Sequence, residues 1–449
     1  MSKRTVQKDL TEGIIWKQLL LFALPLLGSS FIQQLYNTVD LLFAGNLIGK
    51  EATAAVGASS LVISCLVGFF TGLSVGVGVI VSQAIGAGNI RKVDQTIHTA
   101  MALSLSGGAV LSVFGIALAR IVLVWMNTPP EILDSAVSYV RIYMLSMIPV
   151  VTYNMNAGII RATGNSNIPM LIQLTGAVIN IVTDYISIRY ASLGVDGVAW
   201  ATLFSQGAAA VLSILYLMRK ENPYPFKWRR IHISRDILKE VLFIGIPAGM
   251  QNLVITLSNI FVQHAVNGFG VDAIAAFASY FKIELLNYLP IVAFGQAMMT
   301  FSGQNTGAGK YERVKKGAII CIVMGTGYVI CSAGLLLLFG ETVFGLFHRD
   351  SAVISYGMHI MRITFPLYWL YVILEVLADA IRGAGQSLAS MVIILVNICI
   401  LRTVFLIVLM QYSKTVETVT IIYPLTWLTT AICFILYWKS RKWIPKTEK

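Results

Sequence analysis

The length of its apolar runs constrains this chain most. Many exceed the ~18 residues that mark a membrane-crossing helix, and no segment shows the short apolar–polar alternation of a membrane barrel strand. In hydrocarbon every backbone N–H and C=O must be paired within the chain, and a helix does this within one segment. Twelve apolar segments are therefore expected as helices, at roughly 15–44, 53–82, 95–124, 136–160, 168–191, 194–218, 238–265, 273–302, 315–340, 352–381, 387–411 and 418–438. Residues 1–13 are polar, and the apolar stretch after them runs past Pro25, too long for a signal-peptide core.

Composition points the same way. Of 449 residues, 57% are hydrophobic and 12% charged, with a formal net charge of +12. The charged fraction is about half that of an ordinary soluble domain. This excludes a disordered chain, a nucleic-acid-binding domain and most soluble enzymes. The basic residues also set an orientation. With the N-terminus inside, 24 of the 33 Lys and Arg fall on inside segments, Lys3, Arg4, Lys8, Lys446 and Lys449 among them, and six fall outside. Such a bias places both termini in the cytoplasm of a multi-pass protein of the cytoplasmic membrane. The excess faces anionic lipid headgroups, so membrane lipids are expected partners and nucleic acid is not.

The five cysteines, Cys65, Cys321, Cys331, Cys399 and Cys433, lie in apolar runs without metal-ligand spacing. The five histidines are scattered. The chain carries no phosphate-binding loop, dinucleotide fingerprint or nucleophile elbow. No cofactor, no enzymatic activity and no obligate protein partner are expected.

The polar stretch that begins at Arg219 separates six spans from six, giving a first half 1–218, a linker 219–237 and a second half 238–449. Gln83-x-x-Gly86-x-Gly88 returns as Gln304-x-x-Gly307-x-Gly309, and Arg161-x-x-Gly164-x-Ser166 as Arg382-x-x-Gly385-x-Ser387, both at an offset of 221. Ser138, Tyr139 and Pro149 match Ser355, Tyr356 and Pro366, while Pro25 and Asn37 match Pro247 and Asn259. Matched clusters in the same order indicate an internal duplication. Six spans per half gives both halves the same orientation, a layout that lets two bundles enclose a cavity near the bilayer midplane. Gly68, Gly72 and Gly76, and likewise Gly245 and Gly249, repeat every four residues, the spacing of close helix packing. Pro25, Pro149, Pro247, Pro290 and Pro366 lie in or near spans and should bend them.

These features resemble the multidrug and toxic compound extrusion (MATE) transporters, and more closely their bacterial branch related to the DNA-damage-inducible efflux proteins. The resemblance covers nearly the whole chain. It rests on Pro25 through Tyr36-x-x-x-Asp40, the two Q-x-x-G-x-G ends, the two R-x-x-G-x-S motifs and Asn180-x-x-x-Asp184. It implies an all-α membrane protein of twelve helices, arranged as a V-shaped pair of pseudo-symmetric six-helix lobes around a central cavity. It also implies export of substrate driven by inward cation flow.

Asp40 lies deep in the first span and Asp184 in the body of the fifth. A buried carboxylate costs several kcal/mol unless paired, hydrated or protonated, so both are functional candidates. Asn180 and Asp184 are four apart and share a helix face. In the resembled branch a span 1 Asp, a span 5 Asn-x-x-x-Asp, a span 6 Thr and a carbonyl one turn before it form a cation site. The matching residues here are Asp40, Asn180, Asp184, Thr202 and Val198. Hard oxygen ligands suit Na⁺, and carboxylates also take up H⁺; the residues do not choose between them.

Tyr36, Tyr139, Asn154 and Met155 are candidates for the substrate cavity. Lys282 and Glu284, two apart in span 8, are expected as a buried pair of opposite sign or as part of that cavity. Arg402 stands at roughly the position equivalent to Asp184, and Val262 at that of Asp40, so only the first half holds two carboxylates. Glu375 and Asp379 in span 10 suggest a gate or an ion pair with Arg382. Carboxylates beside tyrosines suit organic cations. The expected activity is H⁺- or Na⁺-coupled export of cationic amphiphilic molecules, with a flippase for lipid-linked oligosaccharide as the alternative.

Overall fold

The computed structural model describes residues 9–191 and 193–445. Lys3, Arg4, Lys8, Lys446 and Lys449, counted above in the charge bias, lie outside the described residues. Among those described there is no strand. The helices are α1 (Ile15–Phe43), α2 (Lys50–Gly86), α3 (Ile90–Trp125), α4 (Pro130–Leu145), α5 (Met147–Ala162), α6 (Asn167–Arg189), α7 (Gly194–Met218), α8 (Arg235–Asn267), α9 (Val271–Gly307), α10 (Tyr311–Leu338), α11 (Gly340–Gly345), α12 (Ser351–Thr364), α13 (Trp369–Gly383), α14 (Ser387–Ile394), α15 (Arg402–Tyr412) and α16 (Val416–Lys439). Single π-helical turns, Ala44–Ile48 and Leu395–Leu401, follow α1 and join α14 to α15.

Nine helices among the described residues are long and apolar enough to cross a membrane, and two bent pairs raise this to eleven. The segments expected as single spans at 136–160 and 352–381 are broken, by 45° between α4 and α5 and by 54° before α13. Proline explains both breaks. Pro149 and Pro366 have no N–H to return to the carbonyl four residues earlier, and their rings crowd that turn. The remaining expected span, 273–302, corresponds to α9, which has 37 residues but is not among the eleven. Its apolar run is interrupted by Lys282, Glu284 and Asn287.

Contacts divide the chain into two compact units. Unit 1 contains Gly28–Gly249; unit 2 contains Leu10–Leu27 and Met250–Lys449. Each therefore takes part of α1 and part of α8, and the chain crosses two residues after Pro25 and two residues after Pro247.

In unit 1, α2 packs on the first part of α8 through glycines. A Cβ on Gly72 would overlap the Gly249 backbone, and one on Gly76 would stand 2.7 Å from the Val241 carbonyl oxygen. The four-residue glycine spacing is thus a seam of backbone contact, where small residues let helices approach. The linker is docked on α3: Lys227 N–H donates to His98 Nε2 at 3.2 Å and Ser234 N–H to Thr99 Oγ1 at 3.1 Å.

In unit 2, a residue of the repeated glutamine motif has a direct task. Gln304 Oε1 accepts from Leu10 N–H at 3.0 Å, and Asn305 Nδ2 donates to the Leu10 carbonyl at 3.1 Å, tying the N-terminal segment to the end of α9. The last glycines of the motif, Gly88 and Gly309, have φ of 67° and 71°. A left-handed residue there ends each helix, and glycine adopts it without Cβ strain.

Gly72→Ala is expected to destabilise the protein by about 1–3 kcal/mol through overpacking. Gly57→Ala, on the same helix where a Cβ meets nothing within 4 Å, should not. Thermal melting of the two purified variants checks this; equal midpoints would remove the seam's role.

Candidate functional site

Unit 1 brings the carboxylates of the first and fifth expected spans together. The Asp40 and Asp184 carboxyl groups lie within hydrogen-bonding range of each other. Asp184 is fully buried and Asp40 half-buried. Among the described residues no N–H or O–H donates to either oxygen of Asp184 or to Oδ1 of Asp40. Two carboxylates in this position repel each other unless a proton or a metal cation sits between them. Among the described residues no Lys or Arg forms a salt bridge with either carboxylate.

The helices explain why these groups meet. α6 and α7 form an antiparallel hairpin turned at Gly194, whose φ is 57°. Along it a Cβ on Gly176 would lie 3.6 Å from the Ser205 carbonyl oxygen, and one on Gly197 would lie 3.0 Å from Ser187 Cβ. This register sets Thr202 against the stretch between Asn180 and Asp184. Asn180, one turn before Asp184, is 1% exposed, and neither its amide nitrogen nor its oxygen has a partner. A buried amide left unpaired costs about 1–3 kcal/mol per group, so this face of α6 carries polar capacity that the fold does not use.

Thr202 and Val198 are also buried. Thr202 Oγ1 donates to the Val198 carbonyl at 3.1 Å, in addition to the helical bond that carbonyl accepts. Both lone pairs of Val198 are then engaged in this conformation, whereas the Thr202 oxygen keeps its own. The free oxygens are those of Asp40, Asn180, Asp184 and Thr202. Among the described residues no three His, Cys, Asp or Glu side chains form a group suited to a metal ion. Two carboxylates with neutral oxygens match the chemistry of a small hard monovalent cation or a proton.

Tyrosines surround this pair. Tyr36 and Tyr139 lie within electrostatic reach of Asp40, and so does Tyr143. The Tyr139 and Tyr143 rings are 6.1 Å apart. Tyr143 was not foreseen, although its place four residues after Tyr139 puts it on the same face. Tyr36, Asn180 and Ser205 line one narrow crevice. Asn154 is half-buried and donates to the Val150 carbonyl at 2.9 Å on its own helix. Met155 has no exposed surface and so lines no accessible space in this conformation. A cavity of about 690 Å³ elsewhere in unit 1 is lined by Lys50, Glu51, Glu131, Asp134 and Asp196 and holds none of the expected site residues.

In unit 2 the expected pairing of Lys282 with Glu284 is corrected. Lys282 is exposed, and the Glu284 carboxylate accepts from the Tyr368 hydroxyl at 2.9 Å. Side chains two apart on a helix point about 160° apart around the axis, so a pair at that spacing finds other partners. Asp379 forms an ion pair with Arg382, with an Oδ1–Nη2 distance of 2.6 Å.

Comparison with known proteins places these features. A model of the MatE family matches the chain twice, over residues 25–186 and 247–408. The matches are offset by 222 at both ends. This sets Val262 opposite Asp40 and leaves Arg402 in the stretch equivalent to Asn180–Asp184. The R-x-x-G-x-S motifs are offset by 221, and the π-helical turn Leu395–Leu401, lying between that motif and Arg402, accommodates the extra residue.

Two Bacillus subtilis proteins, the "Probable multidrug resistance protein" YpnP and its namesake YoeA, are 27% and 26% identical over 403 and 418 residues. The alignments cover 88% and 91% of this chain and 89% and 90% of those proteins. The Staphylococcus aureus "Multidrug export protein MepA" is 22% identical over 395 residues, 87% of each chain. Among solved structures, an outward-facing multidrug resistance MATE family transporter is similar with a TM-score of 0.91 at 24% identity over 98% of both chains. A Pyrococcus furiosus transporter of the MOP superfamily is similar with a TM-score of 0.90 at 23% identity, again over 98% of both.

Asp184→Asn is expected to raise thermal stability, because the new amide donates to Asp40 and the like-charge contact disappears. A gain of about 1–3 kcal/mol is the scale of a hydrogen bond to a charged group. Melting in detergent without added Na⁺ at neutral pH measures it; a fall in midpoint would contradict the repulsive contact.

Proposed function

Since the chain belongs to the MATE family of membrane transporters, we propose that it exports organic, cationic amphiphilic molecules across the cytoplasmic membrane by alternating access, in exchange for H⁺ or Na⁺. The names of the Bacillus and Staphylococcus relatives support multidrug export. One observation carries the coupling: the Asp40 and Asp184 carboxyl groups lie close together between two spans, and both Asp184 oxygens and Oδ1 of Asp40 have no hydrogen-bond partner among the described residues.

In this reading Asp40, Asn180, Asp184 and Thr202 hold the coupling ion, and the Val198 carbonyl joins them when the Thr202 hydroxyl turns away. With the site empty, the two carboxylates repel and the faces of α1 and α6 separate. A cation or proton arriving from outside screens that repulsion and draws α1 toward α6, which narrows the space in which substrate sits. Tyr36, Tyr139 and Tyr143 offer ring faces to an organic cation, an attraction of about 0.5–2 kcal/mol per ring. Asn154 and Met155 in unit 1, and Lys282 and Glu284 in unit 2, stay proposed substrate contacts on the sequence alone. Each net charge moved inward across 100 mV contributes about 2.3 kcal/mol, enough for about fiftyfold accumulation.

Both termini face the cytoplasm in this scheme, as the bias of basic residues requires. No cofactor takes part, and membrane lipids are the only macroscopic surroundings it needs.

Asp40→Asn is expected to lose at least tenfold in ethidium efflux while reaching the membrane in wild-type amount. Vesicles containing the purified protein, given separately imposed Na⁺ and pH gradients, identify the ion. Wild-type efflux by the variant under either gradient would refute the coupling role of the pair.

A further inference from the structure

In unit 2 a fixed cation stands where unit 1 has its acidic face. Arg402 falls in the stretch equivalent to Asn180–Asp184, and Val262 takes the place of Asp40. Arg402 is 4% exposed. Its Nη1 donates to Asn259 Oδ1 and its Nη2 to Thr426 Oγ1, both at 3.3 Å. Its guanidinium carbon lies 4.9 Å from the centre of the Tyr423 ring. All three partners are neutral. Nε donates to nothing, and the buried hydroxyl of Tyr423 also has no partner.

The acid within electrostatic reach is Glu284. It engages Tyr368, and no salt bridge joins it to Arg402 among the described residues. A buried arginine inside a span is costly without an anion and marks a functional site by default. Here the missing group is an anion, since every contact present is uncharged and two donors remain.

Access and shape narrow its identity. Asn259, which holds Nη1, is exposed on α8, a helix apolar enough to span the membrane. An exposed amide within a span is costly against hydrocarbon, which favours an aqueous opening on this side of α8. The surroundings are aromatic: Tyr423 lies 6.4 Å from Trp427, and Trp427 lies 5.0 Å and 5.7 Å from Tyr368 and Tyr371. Guanidinium binds carboxylate through its planar fork, and ring faces pack on an aryl group.

We infer that Arg402 and the Tyr423 hydroxyl form an anion subsite that takes the carboxylate of an aromatic acid, whether a simple aryl carboxylate or the acidic group of an amphoteric drug. The π-helical turn before Arg402 belongs to the same construction. Ser258, next to Asn259 on α8, donates to the Ile398 carbonyl in that turn at 2.5 Å, so one stretch of α8 holds both the turn and the guanidinium.

The test is equilibrium dialysis of the full-length protein in lipid nanodiscs, with empty nanodiscs as blank, against 2-naphthoate and the matched neutral 2-naphthamide. Wild type is expected to bind naphthoate at least tenfold tighter than naphthamide. Arg402→Gln should abolish that preference and Arg402→Lys retain part of it. Tyr423→Phe should weaken naphthoate several-fold without changing naphthamide, and it decides the matter if the Arg402 variants fail to elute as folded protein on gel filtration. Equal binding of acid and amide by wild type, or an undiminished preference in Arg402→Gln or Tyr423→Phe, would overturn the inference. The assay imposes no ion gradient, so failure of the antiport reading leaves its outcome untouched.

Discussion

Two carboxyl groups brought close together, one fully buried and one half-buried, with three of their four oxygens unpartnered, are the constraint on which the rest of unit 1 turns. A folded chain tolerates Asp40 against Asp184 only because α6 and α7 hold their register through the Gly194 turn and because α1 delivers Asp40 just before its π-helical end. The unused amide of Asn180 beside them adds to the deficit rather than relieving it. Stability is set aside at this one place, as is common where a site must respond to an occupant.

The duplicated halves share a framework and differ in charge. Glycines that end the helices before α3 and α10 do the same work in both, as their left-handed backbone indicates. The prolines at 25 and 247 sit at matched positions, two residues before the chain passes from one unit to the other. Polar content is where the halves part. The first half places acids on α1 and α6. The second half places a guanidinium on the counterpart of α6, held by an amide, a hydroxyl and a ring. Duplication therefore supplies two similar bundles, and point differences at the buried positions give each its own electrostatic character.

Much of the framework was legible from local pattern. Span lengths, the breaks near Pro149 and Pro366 and the glycine seam between α2 and α8 each follow from a rule that acts within a few residues. Asn180 and Asp184 were placed on one face by spacing alone. The failures share a different cause. Lys282 and Glu284 looked like partners because they are near in sequence, yet Glu284 found Tyr368, 84 residues away. Tyr143 was missed even though its spacing from Tyr139 exposed it to the same reasoning.

Sequence alone determined that this chain is a set of membrane helices in two related halves, because hydrocarbon leaves the backbone no other way to pair its polar groups over runs of that length. It also named the acids, since few charges occur inside the spans. Only the tertiary structure decided which of those charges meet. The rotation of a helix about its own axis and its depth against a neighbour are set by packing over its whole length. A one-residue insertion or a glycine contact many turns away changes both, and no pattern within a single segment records them.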